Sequence, residues 1–145
     1  VQVWYIALVI IALDQGSKWL IQQGMTLHES IPVIPGFFHI TYILNRGAAF
    51  GILENQQWFF LVMALVLFLL YGLFRKQLPA NPWGYGGAGL LLGGALGNAL
   101  DRTFRGAVTD FFDFRIWPVF NVADIGIVVG VVLLLWYSWT HISDK

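Results

Sequence analysis

The chain has 145 residues, 58% of them hydrophobic and only 11% charged, and its mean hydropathy of +0.71 lies far above that of a water-soluble domain of this length. Eight basic and eight acidic residues cancel to a formal charge of zero, which leaves no basic stripe for nucleic acid. With no cysteine, disulfides, thiolate nucleophiles, zinc-cysteine sites and iron-sulfur clusters are excluded, so the chemistry must come from oxygen or histidine.

A helix needs about 20 residues to cross a bilayer, or about 17 at the short end, and four stretches meet or approach that length. The first covers residues 3–22. Its apolar opening VQVWYIALVIIAL runs directly into polar DQGSK, with no small-residue cleavage site, and reads as a retained membrane helix. The chain opens without Met, so a few upstream residues are expected to be missing. Asp14 and Lys18 lie four apart on one helical face, acid before base, which is the favourable orientation for a structural ion pair.

The second span, 58–74, is uncharged, starts with aromatics suited to the headgroup level and ends at Arg75 and Lys76. A proline-bearing connection, QLPANP, separates it from the third, 83–101, where seven glycines between Gly84 and Gly97 predict helices packed backbone to backbone. The fourth span, 121–139, is dominated by valine and leucine.

Two segments fall outside the spans, on one side. IPVIPGFFHITYILNRGAAF, residues 31–50, has prolines, aromatics and partial alternation, which predicts short strands lying at the interface. RGAVTDFFDFRIWPVF, with five aromatic rings from Phe111 to Phe120, reads as an interface-hugging connection in which Asp110 and Asp113 are anchors. Arg75, Lys76 and Lys145 place the opposite side in the cytoplasm. Arg46, Arg102, Arg105 and Arg115 would reverse that count, but three of them sit in or beside motif-like blocks rich in Asp.

Serine chemistry has no support, because Ser17, Ser30, Ser138 and Ser143 lack a G-x-S-x-G context and a well-placed histidine. His28, His39 and His141 lack H-E-x-x-H spacing and read as polar surface residues, so no metal is expected. There remain two matching N-x-x-D tetrads: Asn98 to Asp101 at the end of span three, and Asn121 to Asp124 at the start of span four. Within each, the Asn lies one helical turn before the Asp, where its amide can orient the carboxyl group. Either tetrad alone reads as an ordinary cap or a solvated acid. Two at the facing ends of antiparallel spans bring two carboxyl groups together, the minimal apparatus of an aspartic peptidase, which needs no cofactor. Asp124, near a helix start, is expected to be the ionised member that activates water. Asp101, at a helix C-terminus, is expected to carry the shared proton, although the adjacent Arg102 works against that order.

Together the blocks DQGSK (14–18), NRGAAF (45–50), GGALGNALDR (93–102), GAVTDF (106–111) and FNVAD (120–124) resemble the bacterial lipoprotein signal peptidase family, also called signal peptidase II. The resemblance implies an all-α membrane protein with four transmembrane helices, a small extracytoplasmic β-rich cradle and both termini cytoplasmic, residues 1–145 forming one peptidase domain of the bacterial inner membrane. It implies an aspartic endopeptidase that cleaves diacylglyceryl-modified prolipoproteins just before the lipidated cysteine, with Asp101 and Asp124 as catalytic dyad. Asn45, Gly47, Phe50, Asn98, Arg102, Asn121 and Ala123 fall in its substrate-facing or supporting shell, and Asp14 and Lys18 support the site. The expected partners are that substrate and membrane lipid, with the enzyme monomeric. A proton-coupled carrier would hold its acids at mid-span rather than at one edge, and a purely structural subunit would have little reason to keep two tetrads. Presenilin-like peptidases carry a Gly-Asp signature that neither Asp101 nor Asp124 has.

Overall fold

The structure, a computed structural model, describes residues 1–141; Ser143 and Lys145 lie outside the described residues. It consists of α1 (Gln2–Gly24), β1 (Ser30–Ile34), β2 (Phe38–Asn45), α2 (Gln57–Phe74), α3 (Pro82–Arg105), β3 (Val108–Asp113) and α4 (Val122–His141). Helices α1, α2 and α4 are long and apolar enough to cross a membrane; α3 is as long, but its glycines dilute its apolar character.

The limits of α3 follow from its sequence. Pro82 occupies the first turn, where a missing N–H is harmless, and the Asn81 side chain accepts the Gly84 N–H at 3.0 Å. At the other end Gly106 takes a left-handed conformation, φ +71°, and its N–H returns to Arg102 O. The helix continues four residues beyond its expected end at 101, and this brings Arg102 and Arg105 into its last turn.

Helix α3 packs against the other three. A Cβ at Gly130 would lie 2.6 Å from both Gly87 O and Leu91 N, and one at Gly93 would lie 2.8 Å from the Ala7 backbone. These contacts are backbone on backbone, as the glycine density predicts. Helix α2 is held differently. None of its residues is buried; Leu67, Phe68 and Tyr71 rest on Val3, Ala88 and Leu92, and Trp4 stacks on Phe68. The outward faces of α1, α2 and α4 present large apolar side chains such as Leu8, Leu69 and Leu135, a surface suited to lipid rather than water.

The strands form one antiparallel sheet in the order β1-β2-β3. The first two strands lie where alternation predicts them. The third corrects the sequence reading: Val108–Asp113, read as part of an interface-hugging connection, is a paired strand. Residues on both its faces are buried, so it carries no apolar-polar alternation to reveal it. Register places Asn45 opposite Val108 and Ile43 opposite Asp110. Between β2 and α2, residues 46–56 close on themselves, Asn55 N–H to Arg46 O and Ala48 N–H to Ile52 O, both 2.8 Å.

The packing yields a paired prediction. Gly130→Ala pushes a methyl group into two backbone atoms that cannot move independently and destabilises by about 1–3 kcal/mol. Gly72→Ala, in α2 with nothing within 4 Å of its Cβ position, is neutral or stabilising by up to about 1 kcal/mol. Thermal unfolding of both variants in detergent checks the contrast.

Candidate active site

The C-terminal end of α3 and the start of α4 meet as the paired tetrads predict. Asn98 Nδ2 donates to Asp124 Oδ1 at 2.9 Å, and Asn121 Nδ2 donates to Asn98 Oδ1 at 3.1 Å. Asn121 and Asp124 also close a reciprocal cap on α4, each backbone N–H donating to the other's side-chain oxygen, at 3.1 Å and 2.9 Å. Both oxygens of Asp124 therefore accept hydrogen bonds.

Asp101 does not join this group. Three residues along a helix correspond to a rotation of about 60° off the starting face, and that turns Asp101 away from α4 toward α1. There it pairs with Lys18 at 3.0 Å, and it accepts from Gln15 Nε2 and from the Thr109 N–H, both at 3.1 Å. It is 2% exposed and lines no part of the cavity described below. The expected pairing of Asp101 with Asp124 is thus at odds with where its side chain lies. The Asp14–Lys18 pair forms as expected, at 2.7 Å, but fully buried and shared with Asp101 rather than isolated.

The carboxyl group that does lie beside Asp124 is Asp110, which was read from the sequence as an interfacial anchor. It sits mid-strand in β3, 1% exposed to the outside, with Oδ1 accepting from Asn121 Nδ2 at 2.8 Å and Oδ2 from Asn45 Nδ2 at 3.1 Å. Asp110 and Asp124 both line a cavity of about 370 Å³, together with Asn45, Gly47, Asn98 and Arg102. Asn121 bonds both acids and so bridges them. Burial away from water, and then the negative charge of Asp124, push the Asp110 carboxyl from its ordinary 3.8 up to about 7 against the pull of its two asparagine donors. The signal that could have found it is the one applied to the tetrads: an acid amid apolar residues at a membrane edge is costly to keep. Its neighbour Asp113 fits the anchor reading better, at the sheet rim with Thr41 and Arg115.

The supporting residues are distributed around this pair. The Arg102 guanidinium lies 4.2 Å over the Phe60 ring and donates to Gly47 O at 3.2 Å, fixing the 46–56 loop to α3. Gly47 is needed for close approach, since a Cβ there would stand 2.7 Å from Ile52 O; its N–H donates to Asn45 Oδ1. Ala123 is wholly buried, and its N–H donates to Asp14 Oδ1 at 2.8 Å. Phe50 is 76% exposed, left-handed at φ +60°, and meets edge-on the ring of Trp117, which lines the cavity while Phe50 does not. A shallow apolar extension lined by Trp117, Phe120, Ile125, Val128 and Val129 leads from Asp124 to the outer face of α4. Ser30 and His39 lie 2.9 Å apart on the exposed sheet, and neither lines the cavity. Among the described residues no group of three His, Asp or Glu side chains is arranged to hold a metal ion. Chemically, the cavity offers two adjacent carboxyl groups in unlike settings, one of which keeps a proton near neutrality.

A family model described as signal peptidase (SPase) II matches residues 6–140. The chain is 44% identical over 137 residues to the lipoprotein signal peptidase of Halothermothrix orenii, covering 94% of each chain. It is 48% identical over 132 residues to that of Moorella thermoacetica, covering 90% of this chain and 88% of the relative. Two solved bacterial membrane enzymes, both determined by the in meso method, have TM-scores of 0.87 and 0.81 at 33% and 37% identity. They cover 97% and 92% of this chain, and 89% of each of theirs is matched. The chain belongs to the signal peptidase II family.

The proton on Asp110 has a stability consequence. Between about pH 4 and about pH 7 the folded chain holds a proton that the unfolded chain has released, so the contribution is complete at the lower limit and is lost as pH rises through the upper one. Asp110→Asn cannot ionise. The difference in Tm between variant and wild type therefore moves in favour of the variant from about pH 5 to about pH 8. A constant difference would mean that Asp110 is already ionised at the lower pH.

Proposed function

We propose that this chain removes signal peptides from diacylglyceryl-modified prolipoproteins, cutting just before the lipidated cysteine, with Asp110 and Asp124 as its reacting carboxyl groups. The observation that carries the assignment is the single cavity onto which both acids open, bridged by Asn121. Family membership supports the reaction and the substrate class.

In this mechanism Asp124 takes a proton from a water molecule, whose oxygen attacks the carbonyl carbon of the scissile bond. Asp110 gives its proton to the carbonyl oxygen. In the second half the proton on Asp124 passes to the departing cysteine nitrogen, the C–N bond breaks, and Asp110 recovers its proton as the carbonyl reforms. Asn98 and Asn121 hold Asp124 in place and Asn45 holds Asp110. Arg102 and Gly47 hold the loop that carries Phe50 to the Trp117 ring. The apolar extension toward the outer face of α4 lets acyl chains remain in lipid while the peptide reaches the acids.

We place residues 1–145 as one domain with four spans, α3 crossing in contact with each of the three more apolar helices. Four crossings put both termini on one side. Arg75 and Lys76, just beyond α2, support placing that side in the cytoplasm, which would put the cavity at the extracytoplasmic face of the bacterial inner membrane.

The test is cleavage of a diacylglyceryl-modified prolipoprotein by purified wild type, Asp110→Asn, Asp124→Asn and Asp101→Asn, each checked for folding in detergent. The first two variants lose about 10²–10⁴-fold in turnover, whereas Asp101→Asn remains active. For wild type, kcat/KM falls as pH rises past about 7, when Asp110 gives up its proton. An inactive Asp101→Asn beside an active Asp110→Asn would return the second carboxyl role to Asp101.

A further inference from the structure

Four acids lie at the cavity end of the bundle, three of them buried and Asp124 half-buried, and they divide into a front pair and a rear pair. Asp110 and Asp124 face the cavity, while Asp14 and Asp101, 0% and 2% exposed, lie behind them and have no place on its wall. One cation joins the rear pair. Lys18 Nζ lies 2.7 Å from Asp14 Oδ2 and 3.0 Å from Asp101 Oδ2, and it donates to Asn98 Oδ1 at 3.1 Å. Lys18 therefore hydrogen-bonds Asp14 and Asn98, pairs with Asp101, and lines no part of the cavity.

Each rear acid also holds a backbone amide, and the two amides occupy equivalent places. Asp14 Oδ1 accepts from Ala123, the residue before Asp124; Asp101 Oδ2 accepts from Thr109, the residue before Asp110. The third acceptor, Asn98 Oδ1, faces a donor-only cation, so its amide NH₂ must point the other way, onto Asp124. Gly97 leaves room for this arrangement, since a Cβ there would stand 2.5 Å from Asp14 Oδ2. Stability gives little reason to keep such a cluster, because a buried ion group is commonly no better than the apolar side chains that could replace it.

We propose that Asp14, Lys18 and Asp101 are positioning residues that set the separation of the two reacting carboxyl groups. Asp14 fixes the start of α4 behind Asp124, Asp101 fixes β3 behind Asp110, and Lys18 holds these two anchors at a constant distance. This role rests on the assignment of Asp110 and Asp124 given above.

The experiment compares Asp101→Asn with Asp101→Ala in the full-length chain, using prolipoprotein cleavage, thermal unfolding in detergent and the pH profile of kcat/KM. Asn retains an acceptor for the Thr109 N–H and Ala does not. Asp101→Asn stays within about tenfold of wild-type kcat, while Asp101→Ala loses about 100-fold in kcat at unchanged KM and intact fold. In the Asn variant the positive charge of Lys18, no longer matched by Asp101, favours ionised Asp110, and the basic limb of the profile moves to lower pH. The charged groups that face Asp110 are Lys18 of α1, Arg102 of α3 and Asp124 of α4. Wild-type kcat in a folded Ala variant overturns the proposal. If Ala does not fold, the Asn profile decides, and an unmoved basic limb overturns it. An inactive Asp101→Asn with an active Asp110→Asn overturns the assignment of the reacting pair instead.

Discussion

A lysine ammonium withdrawn from both water and lipid must be matched by acceptors within hydrogen-bond reach, and the burial of Lys18 at 1% exposure imposes that demand on two helices at once. Its acceptors come from α1 itself and from two positions on α3. For α1 to approach α3 so closely, Gly97 must lack a side chain. Once Asp14 is held there, its second oxygen lies against the start of α4, and α4 can begin only where the Ala123 amide meets it. The place at which three helices converge is thus determined by polar bonding, while glycine packing determines how closely they lie along the rest of their length.

The two cavity acids reach this point by different routes, and their surroundings differ accordingly. Asp124 stands in the first turn of a helix, inside a reciprocal cap, with donors on both oxygens. Asp110 belongs to an edge strand, buried next to another acid and supported by two asparagine side chains. A helix N-terminus favours negative charge, and a desolvated strand position beside a carboxylate does not. Unequal environments are what allow two chemically identical groups to take opposite parts in a proton exchange.

Much of this was readable from residue order. The four helices announce themselves by length and by the proline-bearing connection QLPANP, and the partial alternation in residues 31–50 marks the first two strands. Convergence of Asn98, Asn121 and Asp124 follows from two copies of one spacing on antiparallel neighbours. The direction of Asp101 was not readable, because a one-turn spacing leaves a residual rotation that decides between α4 and α1 only when the neighbours are in place. Asp110 was hidden for a different reason: its strand is buried on both faces, so an inward acid breaks no pattern, and its partner Asn45 is 65 residues away. Local periodicity reports which side of an element is covered, but not what covers it.

The backbone contacts of Gly93 and Gly130 also bear on how this bundle responds to temperature. When helices separate in a bilayer or micelle, their faces are taken up by hydrocarbon, and little apolar area is transferred to water. The large heat-capacity increment that bends the stability curve of a soluble domain comes from that transfer. The helical part of this molecule therefore has a shallow curve, with cohesion that is mostly dispersion between close-packed chains and weakens little on cooling. The sheet and the 46–56 loop lie outside the helices, and the apolar area that they cover from water carries the stronger temperature dependence.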